Sequence, residues 1–338
     1  MISVRTSLIV SLAVLIAFAG QPHSAVAADA VKLSLAATDD PVYLPFFVAL
    51  DKGYYRALGL EVEPVYAGGS TATAGLISDS LQFSTSTGSA VTAILRGAAL
   101  KIVMNLTERV PWKLWAISPD IQTLRDLKGK AVRIQTYGDL FEMSMRTALM
   151  QAAMDSDAVV YVQLGFGSGP RLAVLRTGLL PAVLLTNLEE KIARERGQLG
   201  QAHVLVDMSR EIRTPNNGLA TSDSLLAENP AMVGRMLRGT LMAVQYIKAY
   251  PDGALQILSH HAPDISPSIL RETLQEFAGT MLEDGIASRE ARTSEIAVRC
   301  SIVGLSPQQA PSEAAVVDYS LVKQAADQLR ASQWAPAE

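Results

Sequence analysis

The chain is poor in the residues that most often carry chemistry. Its 338 residues include one cysteine, Cys300, and four histidines. A lone cysteine has no partner within the chain, so stability must come from a packed core and not from disulfides. Three of the histidines, His203, His260 and His261, follow position 30, and they form no spacing suited to a zinc-type ligand set. Aromatic residues make up 6% of the chain, too few to favour a cage for a quaternary amine. No block of Lys and Arg occurs and the net charge is −4, which excludes a nucleic-acid binder in its usual basic form. Nucleophile elbows of the Gly-x-Ser-x-Gly type, P-loops and dinucleotide fingerprints are also missing. No cofactor or metal is expected.

Long apolar runs are missing too, with one exception at the start. Arg5 is followed by the apolar stretch Leu8–Ala19, a polar patch, and the small residues Ala25-Val26-Ala27. That order reads as a secretory signal peptide over residues 1–27, cleaved before Ala28. A membrane anchor would need about 20 apolar residues. No cysteine stands at the cleavage point, so the expected product is a free, exported protein of about 310 residues.

What is present is alternation. Val31–Leu35, Leu60–Tyr66, Leu81–Ser84 and Lys101–Leu106 read as strands, separated by helices over 45–50, 72–77 and 90–96. Strand and helix at this spacing predict βαβ units and a largely parallel sheet. A second series follows, with extended or strand segments at 112–117, 131–135, 159–164, 182–185 and 203–206, and helices between them. After Asn216-Asn217, Gly218–Thr221 offers one more strand. The remainder reads as helix at 230–249, 253–261, 267–281 and 313–329. A helical tail is best used to cover the first sheet, because a parallel sheet must be covered on both faces. The expected division is therefore lobe one from 28–117 and 218–338 and lobe two from 118–217, with crossings near 116–120 and 214–219.

Ligands of such sheets sit beyond the carboxyl ends of the strands. The residues there are Tyr43, the loop Gly69-Ser70-Thr71, the loop Thr85-Ser86-Thr87, Arg109, Tyr137, Phe166-Gly167, Asn187 and Asn216. Several open helices, whose free N–H groups and partial positive charge suit an anion. Hydroxyls add donors without bulk, although Ser and Thr in these places also serve as ordinary N-caps. Glu108 beside Arg109 is placed to neutralise it.

The chain also resembles a known family. The residues that carry the resemblance are Tyr43-Leu44-Pro45 with Ala49–Tyr55 and Leu58–Val62, Leu81–Phe83 leading to Ala93–Ala98, Leu124–Val132, Asn229-Pro230 and Val317-Asp318-Tyr319. In this order they are similar to the nitrate/sulfonate/taurine-type substrate-binding proteins of ABC importers, a group that includes binders of thiamine pyrimidine precursors. The pattern departs from the family at Ser78-Asp79-Ser80 and at Gly178–Ala182. The cysteine-rich motif of the family's enzyme branch is missing. The resemblance implies a two-lobed α/β periplasmic-binding-protein fold of type II, a monomer in the periplasm. It further implies a small polar or anionic organic ligand, such as a sulfonate or carboxylate, and no catalysis. Its partners would be a permease and its ATPase, through which alone it would meet the membrane. An exported enzyme on the same fold, or a receptor for a sensor kinase, is the alternative.

Overall fold

The computed structural model describes residues 28–165 and 167–338, so the expected signal peptide and Phe166 lie outside the described residues. Among the described residues ten strands are present: β1 (Asp29–Leu35), β2 (Leu60–Tyr66), β3 (Phe83–Ser84), β4 (Leu100–Arg109), β5 (Trp112–Ala116), β6 (Ala131–Ile134), β7 (Val160–Gln163), β8 (Ala182–Thr186), β9 (His203–Val206) and β10 (Arg213–Ser222). In β1 the period of two sends Val31, Leu33 and Leu35 into the core and leaves Lys32 exposed. Each such apolar side chain contributes about 1.5–3 kcal/mol when fully buried.

The strands build two five-stranded sheets, ordered β2-β1-β3-β10-β4 and β7-β6-β8-β5-β9. Both are mixed and mostly parallel, with four strands of each running one way and a single strand reversed. β10 runs antiparallel to β3 and β4, and β5 runs antiparallel to β8 and β9. These are the two strands with which the chain enters a sheet after crossing over, and each runs against its neighbours. The first crossing also differs from expectation. Trp112–Ala116 was expected in the first lobe, but it pairs with β8 and β9 of the second sheet. The chain crosses at Val110-Pro111, where proline has no N–H to continue the ladder. The return lies within 207–212, ahead of the expected 214–219.

The tail covers the first sheet. Val233, Met236, Leu237 and Leu241 of the helix Pro230–Ala249 share one apolar cluster with Leu33, Leu35, Val103 and Leu106. Two tail elements depart from the periodicity reading. The helix Arg289–Ile302 was not predicted, because its buried face includes Glu295 and Arg299 along with Ala291, Ile296 and Cys300. The segment read as one helix over 313–329 is two, Glu313–Val316 and Ser320–Ala331. Val317 interrupts them with a parallel bridge to Ile102. Among the described residues no helix is long and apolar enough to cross a membrane.

Candidate functional site

The carboxyl ends of β1, β2 and β3 open into helix starts on one side of a cleft. Asp40 caps the 3-10 turn Pro41–Tyr43 by accepting from Val42 N at 3.0 Å. Gly69 begins the helix Gly69–Ile77, and its N–H donates to Ser86 Oγ at 3.0 Å. The hydroxyls of this wall are tied together. Ser34 Oγ donates to Ser84 Oγ at 2.9 Å, Ser86 N donates to Ser84 Oγ at 3.1 Å, and Thr85 Oγ1 donates to Ser34 O at 2.9 Å. Thr87 then starts the helix Thr87–Leu95, directed at the cleft by these bonds.

Asn216 and Asn217 belong to this wall as well. They form no hinge loop but an irregularity inside β10, where the register against β4 shifts. Asn217 has φ +53°, and Gly218 has φ +149° with no room for a Cβ against the Met104 carbonyl. This kink lets Asn217 Nδ2 donate to Val42 O at 3.0 Å, while Asn216 Nδ2 donates to Arg109 O at 3.3 Å.

The opposite wall comes from the second sheet. Asp139 caps the helix Leu140–Gln151 and accepts from Gln135 N, Thr136 N and Glu142 N at 3.1, 3.0 and 2.8 Å. Burial nonetheless raises its carboxyl to about 6. Phe141 stacks on Trp112, ring centroids 4.3 Å apart. Arg171 sits in the helix Ser168–Thr177, its guanidinium carbon 4.9 Å from the Phe141 centroid. Its Nε donates to both oxygens of Glu189, at 2.6 and 2.7 Å. Glu189 also closes a capping box with Thr186 at the start of the helix Asn187–Glu195.

Together the walls enclose about 670 Å³, counted to the open mouth. Arg171 and Trp112 both line this space, and both carry a buried donor, Nη1 and Nε1, that has no partner among the described residues. Asp40 faces the same space, raised to about 6 by burial and by the neighbouring charge of Asp39. The cleft wall therefore offers donors and carboxyls together, and its one arginine is already neutralised by Glu189.

Of the residues expected from strand ends, Tyr43, Gly69, Thr85, Ser86, Thr87 and Asn216 line this cleft. Arg109 and Asn187 line an adjoining open space of about 650 Å³, counted to its mouth. Glu108 does not neutralise Arg109: it pairs with Arg213, and Arg109 Nη1 donates to Arg210 O at 3.2 Å. Four of the expected residues are elsewhere. Ser70 and Tyr137 line an outer groove, and Tyr137 is 58% exposed with its hydroxyl donating to Tyr161 O at 3.1 Å. Thr71 is exposed on its helix, and Gly167 borders another groove, beside Asp39 and Ser168. A helix start has two sides, and strand-end reasoning does not say which side a residue takes. Asp40, Trp112, Gln135, Asp139 and Phe141 were not among the candidates, whereas Arg171, just inside its helix, and Asn217, beside Asn216, stood next to them. The signal for Asp139 and Arg171 was present, since both lie in or just before the first turn of a helix that follows a strand.

Ser168 Oγ donates to Asp39 Oδ2 at 3.0 Å in the groove that Gly167 borders. A carboxylate alone is too weak a base to activate a serine, so this bond serves to join the two walls. Among the described residues no group of His, Cys, Asp and Glu is arranged to hold a metal.

The fold is that of solute-binding proteins. It matches the alkanesulfonate-binding protein SsuA from Xanthomonas axonopodis pv. citri with a TM-score of 0.68 at 14% identity, over 86% of this chain and 98% of that one. The nitrate-binding protein NrtA from Synechocystis PCC 6803 matches with a TM-score of 0.67 at 14% identity, over 92% of each chain. The sequence belongs to the NMT1/THI5-like family, matched over residues 40–254. Among characterised proteins it is 27% identical over 260 residues to the riboflavin-binding protein RibY of Chloroflexus aurantiacus, which covers 73% of this chain and 71% of that one. The resemblance to nitrate/sulfonate/taurine-type binding proteins and the two-sheet periplasmic-binding fold both hold.

Proposed function

We propose that this protein is the periplasmic solute-binding component of an ABC importer and that its solute is a planar polar heterocycle of the pyrimidine-to-flavin class. One observation carries the choice of solute: the charge of the cleft is already balanced or negative. Arg171 is paired on both Glu189 oxygens, and Asp40 and Asp139 stand at the walls. A compact anion such as nitrate or a sulfonate needs uncompensated positive charge. A heterocycle needs what is present: aromatic rings at Trp112 and Tyr43, with Phe141 packed behind Trp112, donors at Arg171 Nη1 and Trp112 Nε1, and acceptors at Asp40 and Gln135. Of the hydroxyls at the helix starts, Thr85 Oγ1 donates to Ser34 O, whereas Ser84 Oγ and Ser86 Oγ accept from Ser34, Ser86 N and Gly69 N and keep donors for the polar edge of a ring. The riboflavin named for the relative agrees with this chemistry.

The two sheets act as lobes that close by hinge motion at Val110-Pro111 and within 207–212. The closed form, a monomer, docks on the permease and its ATPase. Secretion through the leader at 1–27 places it in the periplasm. Titration calorimetry at pH 7.5 with riboflavin, a free aminopyrimidine, nitrate, taurine and an alkanesulfonate tests the reading. A heterocycle is expected to bind with Kd in the micromolar range or tighter, about −8 kcal/mol or beyond. Saturable binding of an anion with no heterocycle bound would overturn it.

A further inference from the structure

The cleft does not end at the aromatic faces. It continues past Asp40, Val42, Pro111 and Asn216, which it shares with the adjoining cavity. The far wall of that cavity is Thr273, Glu276 and Phe277 of the helix Pro267–Ala278, and Asn187 closes it from the opposite half. We propose that this cavity is a second subsite, and that the solute is bipartite: a ring held in the first space and a neutral, hydroxylated chain held in the second. This rests on the heterocycle reading above and narrows it.

The chemistry of the second space selects the chain. Asn187 Oδ1 is buried with no partner among the described residues, while Asn187 Nδ2 donates to Glu276 Oε2 at 3.1 Å. A buried acceptor without a donor is costly, so a ligand that supplies an O–H there gains what the empty site lacks. Asp40, on the shared wall, is a second acceptor. Of the positive groups near this space, Lys191 Nζ pairs with Glu276 Oε1 at 2.7 Å, while Arg109 gives one nitrogen to the Arg210 carbonyl and has no acidic partner among the described residues. A hydroxyl brings donors without charge. A phosphate would bring about two negative charges beside Glu276 and Asp40, with Arg109 alone to meet them. Phe277 and Pro41 offer apolar contact to the carbons of such a chain.

The two halves meet around this space through Asn187, Lys191 and Glu276, so a chain seated there is closed in when the halves close. A ring without a chain leaves it empty.

Three flavins that share one ring test the inference: lumichrome, which lacks the chain, riboflavin, which carries a hydroxylated chain, and flavin mononucleotide, whose chain ends in phosphate. Their Kd values are read by fluorescence titration of the purified protein. Riboflavin is expected to bind at least tenfold more tightly than lumichrome, and the mononucleotide more weakly than riboflavin. Asn187→Leu removes the acceptor, and Thr280→Trp, at a residue that also lines this cavity, fills the space. Each is expected to bring riboflavin down to the affinity of lumichrome and leave lumichrome unchanged, which also reports that the variant is folded. Equal affinity of lumichrome and riboflavin for the unaltered protein would overturn the second subsite while keeping the ring site. Equal weakening of both ligands in Asn187→Leu and Thr280→Trp would overturn it too. Failure of all three flavins and of free pyrimidines to bind would bring down the heterocycle reading and this inference together.

Discussion

Two buried arginine–glutamate pairs flank the cleft, and they differ in where the leftover hydrogen bond goes. In Arg171–Glu189 the side chains are 4% and 0% exposed, and in Arg299–Glu295 they are 2% and 7% exposed. Each arginine keeps one terminal nitrogen without a partner among the described residues, Arg171 Nη1 and Arg299 Nη2. Arg171 lines the cleft. Arg299 lies behind it, where a Cβ on Gly88 would stand 2.6 Å from Nη2. Its Nη1 instead spans the two halves, donating to Thr92 Oγ1 at 2.8 Å and to Gly138 O at 2.9 Å. Thr92 Oγ1 donates to the same carbonyl at 3.0 Å. One pair thus keeps a spare donor beside the cleft, and the other fastens the halves to each other. Burying a charge pair is weak support for stability in itself, and here each pair has a use beyond stability.

The largest effect that would break this comparison is at Arg171. Arg171→Leu leaves Glu189 buried and uncompensated, with an expected loss of about 3–5 kcal/mol in urea unfolding. Solute affinity is expected to fall at least a hundredfold, about 2.8 kcal/mol. The double change Arg171→Leu with Glu189→Leu recovers most of the stability and none of the affinity. Recovery of both by the double variant would show that Arg171 only supports the wall.

Next comes Arg299→Met. Removing the strap is expected to cost about 3 kcal/mol, because Glu295 loses its partner. The ligand-free protein is then expected to be more open, with a larger radius of gyration by small-angle scattering. Affinity falls about tenfold through the lower closed fraction. Gly88→Ala sharpens the point with a smaller change. The added methyl displaces the Arg299 guanidinium at a cost of about 1–3 kcal/mol. Its scattering curve is expected to shift in the same direction as that of Arg299→Met. An Arg299→Met protein as closed as the unaltered one would reduce Arg299 to a packing residue.

The contrast also shows what was legible in the sequence. Both pairs stand in helices, but only one helix announced itself. Ser168–Thr177 follows a strand and a glycine turn, so its start was visible. Arg289–Ile302 hides its buried face behind Glu295 and Arg299, so apolar periodicity passes over it. The same limit applies to the site. Tyr43, Gly69, Thr85, Ser86, Thr87 and Asn216 were found because strand ends are readable from alternation. Trp112 and Phe141 were not, because a stack is a relation between distant segments. Pro111 was the unread marker of the crossing.

Asp40 carries a milder effect on the Arg171 side of the cleft. Its carboxyl rises from 3.8 to about 6 on folding, through burial first and then Asp39, while Arg171 pulls it down. Between those values the folded protein binds more protons at this group than the unfolded chain. The contribution of Asp40 to stability is therefore greatest below pH 4 and is lost as pH rises through 6. Asp40→Asn keeps the cap on Val42 and removes the ionisation. It is expected to melt higher than the unaltered protein at pH 8, with the difference fading by pH 4. A difference that grows toward acid would reverse the sign assigned to Asp40.

The smallest expected effect tests what the loop before the helix Leu140–Gln151 contributes. Tyr137 was a candidate for the site, yet its ring is exposed and its hydroxyl is turned to Tyr161 O. The next residue, Gly138, supplies the carbonyl that Arg299 and Thr92 both reach. If the loop matters through its backbone, removing the tyrosine ring leaves closure and binding alone. Tyr137→Ala is expected to change solute affinity by less than about twofold and stability by less than about 0.5 kcal/mol, the usual range for surface sites. A tenfold loss of affinity in Tyr137→Ala, with melting unchanged, would return Tyr137 to the site and shift the ligand toward the outer groove it shares with Ser70.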